Sequence, residues 1–272
     1  MMDWDSQQHN LILLKLGGSL ITDKTQPRKP RLDTIRRLAE EIAETILAMP
    51  DLKLVIGHGA GSFGHVSAKQ YGTRQGVSTV QEWRGFSEVW WDASALNRLI
   101  MEALHEVGLP SISLPPSASV LAHEGQVARW DLVQLKSALL HGLVPVIFGD
   151  VIFDEVRGGT ILSTEDLFVH LAFQMHPSRL LLAGIEAGVW ADYPSCTQLI
   201  SEITPDNFYD IVPALGGSTA TDVTGGMQSK VELNLSLAQA IPGLEVMIFS
   251  GEVPGLIKEA LCGARVGTVI HA

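Results

Sequence analysis

Two patterns of apolar and polar residues alternate along this chain. Short continuous apolar runs, such as residues 11–16, are typical of strands buried on both faces of a sheet. Between such runs, apolar residues recur three and four positions apart, which predicts amphipathic helices. We predict strands over residues 11–16, 52–56, 110–114, 143–148, 179–183, 245–249 and 266–270, and helices over residues 32–48, 86–107, 131–141, 165–174, 225–240 and 253–261.

The alternation of strands with helices indicates an α/β fold, with a mostly parallel central sheet covered on both faces. A hairpin is predicted over residues 151–160, with its turn at Arg157-Gly158-Gly159. The chain has 272 residues, and no Pro/Ser-rich linker or low-complexity tract divides it. We therefore expect a single continuous domain over residues 1–272.

Glycines stand at the predicted carboxyl ends of four strands, where parallel sheets bind their ligands. They occur at Gly17-Gly18, in the segment GHGAGSFGH over residues 57–65, at Gly149 and at Gly184. Such turns let the backbone approach a ligand and direct its N–H groups toward an anion, most often phosphate. His65 adds a titratable donor beside this predicted phosphate site.

The same glycine segment matches the dinucleotide-binding spacing, because Gly59, Gly61 and Gly64 form G-x-G-x-x-G after a strand. That fold expects a second strand ending in Asp or Glu about 20 residues further on, and residues 66–83 show no strand pattern. The match also lies in the second strand–helix unit rather than the first. A dehydrogenase is therefore an alternative that the surrounding sequence opposes.

Composition excludes several partners. The formal net charge of −11 argues against binding to nucleic acid or to an anionic membrane surface. No apolar run approaches the roughly 20 residues of a membrane span, and the first ten residues lack the basic start of a signal peptide. Cys196 and Cys262 have no metal or redox spacing, so we expect reduced thiols in a cytoplasmic protein.

An acidic protein that binds phosphate must concentrate its few cations at the site. Lys15 interrupts an apolar strand, and a buried lysine is costly unless an anion pairs with it. Lys24 lies in a polar loop and Lys230 about one turn inside a predicted helix, where ordinary surface lysines are also common. Asp166 begins a helix after Ser163, which is equally a capping pattern.

Together these motifs resemble the amino acid kinase superfamily, and within it the isopentenyl phosphate kinase family. The resemblance runs in order through KLGGSLITDK at residue 15, GHGAGSFGH at 57, FGD at 148, STEDL at 163 and DVTGGMQSK at 222. It implies a three-layer αβα sandwich, with an acceptor-binding lobe over about residues 1–175 and a nucleotide-binding lobe over about 176–272. It also implies a homodimer.

The resemblance implies transfer of a phosphoryl group from ATP to isopentenyl phosphate, with Mg²⁺ held mainly by phosphate and water. The acceptor phosphate would be held by the Ala60 backbone, His65 and Gly149. Asp166 would orient the two phosphate-binding lysines. On the nucleotide side, the residues implied are Lys15, Gly17, Gly18, Lys24, Gly61, Gly226 and Lys230.

Two departures from the family pattern matter. Ala60 replaces a common glycine, which is harmless where φ is negative. The segment AGIEAGVW, at residues 183–190, replaces an Asp-containing one, so the nucleotide preference stays open. The acceptor tail needs an apolar pocket, which we expect on the helix over residues 86–107. A kinase for a small phosphonate such as fosfomycin and a non-catalytic nucleotide-binding protein remain the alternatives.

Overall fold

A computed structural model describes residues 10–215 and 226–272, without the side chains of His65 and Ala214. Its described helices are α1 (Gly18–Ile21), α2 (Leu32–Ala48), α3 (Gly61–Tyr71), α4 (Val80–Glu106), α5 (Val133–Leu140), α6 (Thr164–Met175), α7 (Phe208–Leu215), α8 (Gly226–Ala240) and α9 (Leu256–Leu261). The described strands are β1 (Leu11–Leu16), β2 (Lys53–His58), β3 (Ser111–Ser113), β4 (Val120–His123), β5 (Gln126–Trp130), β6 (Val144–Phe148), β7 (Asp150–Asp154), β8 (Gly158–Leu162), β9 (Arg179–Gly184), β10 (Val189–Trp190), β11 (Leu199–Ile200), β12 (Glu202–Ile203), β13 (Glu245–Ser250) and β14 (Thr268–Ile270).

A central sheet contains eight of the described strands, in the order β12-β14-β13-β9-β1-β2-β6-β3. All neighbouring pairs in it are parallel except β13 with β14. A second sheet, in the order β5-β4-β7-β8, is formed by two hairpins. The carboxyl ends of β1, β2, β6 and β9 meet at one edge of the central sheet, and this edge carries the predicted site.

The apolar run of β1 is explained by burial on both sides of the sheet. Leu11 and Leu13 belong to the core that includes side chains of α5, α6 and α8. Ile12 and Leu14 belong to the opposite core, with α2, α4 and α9. Successive strand residues point to opposite faces, so Lys15 follows Leu11 and Leu13 toward the side of α6 and α8.

The predicted mostly parallel α/β fold is confirmed, and the described elements that were not predicted include α3, α7, the β4–β5 hairpin and the short strands β10, β11 and β12. The sequence pattern did not predict α3, whose first turn lies inside the glycine segment and lacks a side-chain cap. It also missed β4 and β5, which join through Glu124 and Gly125, both with positive φ. Residues 222–225 of the DVTGGMQSK motif lie outside the described part of the chain.

Candidate active site

The turns that follow β1 and β2 pack directly against each other. These adjacent parallel strands end in register, with Leu16 opposite His58. A Cβ on Gly18 would lie 2.6 Å from the Gly61 nitrogen, and Gly61 has a φ of +50°. No side chain fits between the two turns, so glycine at position 18 is required for this backbone contact. The predicted nucleotide-side residue Gly17 lies in the same turn and donates its N–H to the Ala183 carbonyl at 2.8 Å.

The segment after β2 leads directly into the N-terminus of α3. Ala60 precedes the helix with a φ of −73°, which confirms that alanine is tolerated at this point of the segment. A helix N-terminus presents N–H groups and a partial positive charge, and both favour an anion. His65 lies on α3 just beyond this end, and its role remains a prediction because its side chain is not described.

Lys15, at the end of β1, forms an ion pair with Glu165 in the first turn of α6. Both side chains are largely buried, with 12% and 17% exposed. Burial raises the pKa of the Glu165 carboxyl, but the charges of Lys15 and Lys230 outweigh that effect and leave the pKa below its ordinary value. This carboxylate is thus paired with the lysine from β1 and lies within electrostatic reach of the lysine from α8.

The carboxylate paired with Lys15 is therefore Glu165, where we expected Asp166. Asp166 forms the capping box of α6, since its Oδ2 accepts from the Ser163 N–H at 2.7 Å and the Ser163 hydroxyl donates to it at 2.8 Å. The Arg74 guanidinium also lies 3.3 Å from this carboxylate. Consecutive helical residues point about 100° apart, so capping by Asp166 turns Glu165 toward Lys15. Capping by Asp166 after Ser163 was the alternative that the sequence offered, and the structure shows this capping box.

Gly149 joins the site from β6. Its N–H donates to the His58 carbonyl at 3.1 Å, and the nearest atoms to an added Cβ would be backbone atoms around Ser163 and Thr164, at 3.5 Å or more. Its predicted contact with an acceptor phosphate is compatible with this placement. Of the predicted nucleotide-side residues, Gly226 begins α8 with a φ of +75°, and Lys230 lies in the first two turns of that helix.

Lys24 lies in a hairpin over residues 22–30, closed by a bridge between Thr22 and Pro30. The lysine itself is exposed. The base of the hairpin reaches the glycine turns, because the Thr22 hydroxyl donates to the Gly18 carbonyl at 2.7 Å and accepts from the Ser62 N–H at 2.9 Å. This location is compatible with the predicted role of Lys24 at ATP phosphates.

The face of α4 that we expected to line the acceptor pocket divides between two environments. Leu96 and Ile100 belong to the large core under the central sheet. Phe86 and Val89 instead form a small separate cluster with Val77 and Val151. That cluster lies where α4 meets the second sheet, since Val151 belongs to β7. The location of the pocket for the acceptor tail stays a prediction.

His58 is a buried residue of the site region that the sequence did not single out. Its ring stacks on Phe148 at a centroid distance of 5.2 Å, and its nitrogens lie 3.2 Å from the Gly59 carbonyl and the Asn97 side chain. Burial lowers the pKa of this imidazole to about 4, although both hydrogen-bonding contacts raise it. A neutral ring therefore supports the start of the glycine segment.

The pKa of Asp150, beside Gly149, is shifted in the opposite direction from that of His58. Burial raises the pKa of its carboxyl to about 6, against the lowering effect of hydrogen bonds from Ser117 and the Val151 N–H. Its Oδ2 accepts from the Ser117 N–H at 3.1 Å and its Oδ1 from the Val151 N–H at 2.8 Å. Asp150 thus fixes the turn at Ser117 rather than contacting a ligand phosphate.

The shifted pKa values of His58 and Asp150 predict opposing contributions to the pH dependence of the free energy of unfolding. The contribution of His58, whose pKa falls from 6.5 to about 4, is present above pH 6.5 and is lost as the pH falls toward 4. The contribution of Asp150, whose pKa rises from 3.8 to about 6, is present below pH 4 and is lost as the pH rises toward 6. Between pH 4 and 6.5 the two effects offset each other.

The variant Asp150→Asn should therefore lose stability on acidification more steeply than the wild type. We expect about 2 kcal/mol of additional loss in the free energy of unfolding between pH 6.5 and 4.5, since only the His58 effect remains. Urea denaturation at several pH values measures this. His58→Gln is the matched control and should change the slope in the opposite direction. Parallel profiles for the wild type and Asp150→Asn would contradict the assignment.

Comparison with known proteins identifies the family of this chain. A sequence model of the amino acid kinase family matches residues 10–250. The isopentenyl phosphate kinase of Methanothermobacter thermautotrophicus is 35% identical, over 94% of this chain and 97% of its own. That of Methanocaldococcus jannaschii is 32% identical, over 96% and 98%. The chain belongs to the isopentenyl phosphate kinase family.

The fold of this family agrees with the structure as well. A crystal structure of an isopentenyl phosphate kinase superposes with a TM-score of 0.77 at 30% identity, covering 96% of this chain and 99% of that one. These matches confirm the resemblance, the α/β fold and the classification as a phosphotransferase. Among the described residues, no helix has the length and apolar character needed to cross a bilayer.

Proposed function

We propose that the protein transfers the γ-phosphoryl group of ATP to isopentenyl phosphate and so forms isopentenyl diphosphate. The observation that carries this proposal is the ion pair of Lys15 with Glu165, whose carboxylate is also under the influence of the Lys230 charge, beside two glycine turns that are in backbone contact. Two lysines balanced by one carboxylate supply a net positive charge to a region suited to two phosphates. The relatives described above add the identity of the acceptor.

The acceptor is a phosphate monoester, so its attacking oxygen is already anionic and requires no strong general base. Catalysis then depends on alignment of the two polyanions and on stabilisation of the charge that develops during transfer. Lys15 and Lys230 would contact the transferring group from two sides. Glu165 would hold both ammonium groups in place through charge-assisted interactions.

The nucleotide would lie between β1 and α8. The turn at Gly17-Gly18 and the helix start at Gly226 would approach its phosphates, with Lys24 above them. The lobe proposed over residues 1–175 would then bind the acceptor and supply these contacts to the ATP phosphates. The lobe proposed over residues 176–272 would bind the rest of the nucleotide.

Magnesium is expected to arrive with the nucleotide. Within the described residues no cluster of three or more His, Cys, Asp or Glu side chains could hold a metal ion. The protein therefore does not offer a cage of its own there, and Mg²⁺ usually retains water and binds substrate phosphates. We assign no step to a protein-bound metal.

The role proposed for His65 is donation of a hydrogen bond to the acceptor phosphate. Removing one such donor commonly lowers the rate 10²–10³-fold, and we expect that loss in kcat/KM for isopentenyl phosphate in His65→Ala. Gln can still donate, so His65→Gln should retain more activity. Steady-state kinetics of both variants tests this, and wild-type values in both would remove His65 from the mechanism.

One assay tests the proposed function as a whole. Coupled measurement of ADP release should show turnover with isopentenyl phosphate and far less with fosfomycin, because the Phe86–Val89 cluster is apolar. Preference for fosfomycin would support the phosphonate kinase alternative. ATP binding without turnover of either acceptor would support a non-catalytic protein.

We also propose a homodimer. The end strand β3 exposes 38% of Ile112, and α4, which contacts β3 through a hydrogen bond from Asn97 to Ser113, exposes 64% of Trp91. Burial of these apolar side chains against a second copy would remove them from water. Light scattering on the wild type and on Trp91→Glu measures the oligomeric state. A monomeric wild type would contradict the proposal.

A further inference from the structure

The hairpin that carries Lys24 is docked onto α3 through one serine. The N–H of Arg28 donates to the Ser62 carbonyl at 3.1 Å, and the N–H of Lys29 donates to the Ser62 hydroxyl at 3.1 Å. These contacts fix the returning arm of the hairpin on the first turn of α3. The position of Lys24 in the hairpin therefore depends on how firmly this arm is held.

A second contact joins the same arm to α4. The Arg28 guanidinium lies 2.6 Å from Oδ1 of Asp92, a residue that is 3% exposed. Among the described residues, no donor forms a hydrogen bond of suitable geometry with Asp92 Oδ1, so its interaction with Arg28 is an electrostatic attraction. The other oxygen, Oδ2, accepts from the Ser67 hydroxyl of α3 at 2.9 Å. A buried carboxylate is costly without an opposite charge, and Arg28 supplies it.

The backbone conformation of Arg28 also indicates that contacts hold this arm of the hairpin in place. Its φ of +52° lies in the left-handed region, which non-glycine residues rarely adopt. Such a conformation persists where surrounding contacts hold it. Here those contacts are Ser62 on the main-chain side and Asp92 on the side-chain side.

We propose that Arg28 and Asp92 form a positioning pair that holds the Lys24 hairpin over the ATP phosphates. Through Ser67, the same carboxylate also fixes α3, the helix that carries His65. Asp92 thus links the nucleotide-side lysine to the acceptor-side helix. This inference rests on the proposed function, since it assumes that Lys24 contacts ATP.

The first test is Arg28→Gln. A misplaced catalytic group can cost about 10²-fold in rate, and we expect a loss of about 10-fold or more in kcat/KM for ATP. Arg28→Lys keeps a charge and should retain intermediate activity. The matched control is Arg98→Gln on α4, which removes an exposed arginine paired with Glu102 at 2.8 Å and should leave the kinetics unchanged. Wild-type kinetics in Arg28→Gln would overturn the proposal.

Loss of Arg28 also leaves Asp92 buried without its charge partner, so a lower Tm could accompany the kinetic effect. The double variant Arg28→Gln/Asp92→Asn removes that orphaned charge and should recover stability while keeping the kinetic defect. Recovery of both stability and kcat/KM would mean that the pair serves only folding, which overturns the positioning role.

The deciding experiment combines Arg28→Gln with Lys24→Ala in a double-mutant cycle. If Arg28 acts through Lys24, its removal should cause no further loss once Lys24 is absent. Independent, multiplying losses would overturn the inference while leaving the role of Lys24 intact. Wild-type activity in Lys24→Ala alone would instead refute the role proposed for Lys24, and with it this inference. Turnover of isopentenyl phosphate by the wild type tests the proposed function separately from all of these outcomes.

Discussion

Glu165→Gln is expected to lower kcat by about 10²-fold while leaving the fold intact, because the amide is nearly the same size and lacks the charge that holds two lysines. The carboxylate is the group that Lys15 contacts and that Lys230 influences. Without it, the positive charges of Lys15 and Lys230 are no longer balanced, and each lysine can leave its proposed position. The KM for ATP should rise less than kcat falls, since the lysines themselves remain.

The neighbouring residue provides the matched control. Asp166→Asn keeps the size of the side chain and alters the capping box with Ser163, so we expect about 1 kcal/mol of lost stability. Its effect on kcat should be much smaller than that of Glu165→Gln. Steady-state kinetics and thermal unfolding of both variants separate the two roles. A larger kcat effect in Asp166→Asn would show that Asp166 orients the lysines after all.

Gly18→Ala is expected to abolish turnover, with a loss above about 10²-fold in kcat/KM for both substrates. The added Cβ would lie 2.6 and 2.7 Å from backbone atoms of Gly61. Neither atom can move without displacing the start of α3. Both phosphate-binding turns would therefore lose their geometry together, so acceptor and nucleotide kinetics should deteriorate in parallel.

Gly108→Ala is the control for the general cost of replacing a glycine. Gly108 has a φ of +75° with no atom within 4 Å of an added Cβ, so the substitution strains the backbone away from the site. We expect about 1 kcal/mol of destabilisation and unchanged kinetics. Circular dichroism confirms that each variant is folded before its kinetics are compared. Retention of activity in Gly18→Ala would contradict the tight packing of the two turns.

The sequence predicted the central strands well because strands buried on both faces of a sheet consist of continuous apolar runs. In β1, residues of both cores alternate, and the run is interrupted only by Lys15. It also predicted the strand ends at which the glycine turns meet, since glycines mark those positions. α3 was missed because its first turn consists of residues that equally predict a loop.

The chemistry of the site was harder to predict than its location. Glu165 and Asp166 are adjacent acids, and only the rotation of α6 about its axis decides which of them faces Lys15. The partnership of Arg28 with Asp92 spans 64 positions along the chain, and no local pattern marks it. His58 looked like part of the glycine segment, and its buried neutral ring became apparent only from its packing against Phe148.

The contact between Gly18 and Gly61 has a consequence for engineering a new substrate range. Two main-chain turns that touch each other tolerate few changes, so the proposed phosphate-binding end of the site is structurally constrained. Selectivity for the rest of the acceptor must then be altered elsewhere, at side chains that can change size without moving either turn. Phe86 and Val89, which belong to a separate cluster under the second sheet, are the positions proposed for the acceptor tail, and libraries aimed at longer or more polar acceptors should begin there.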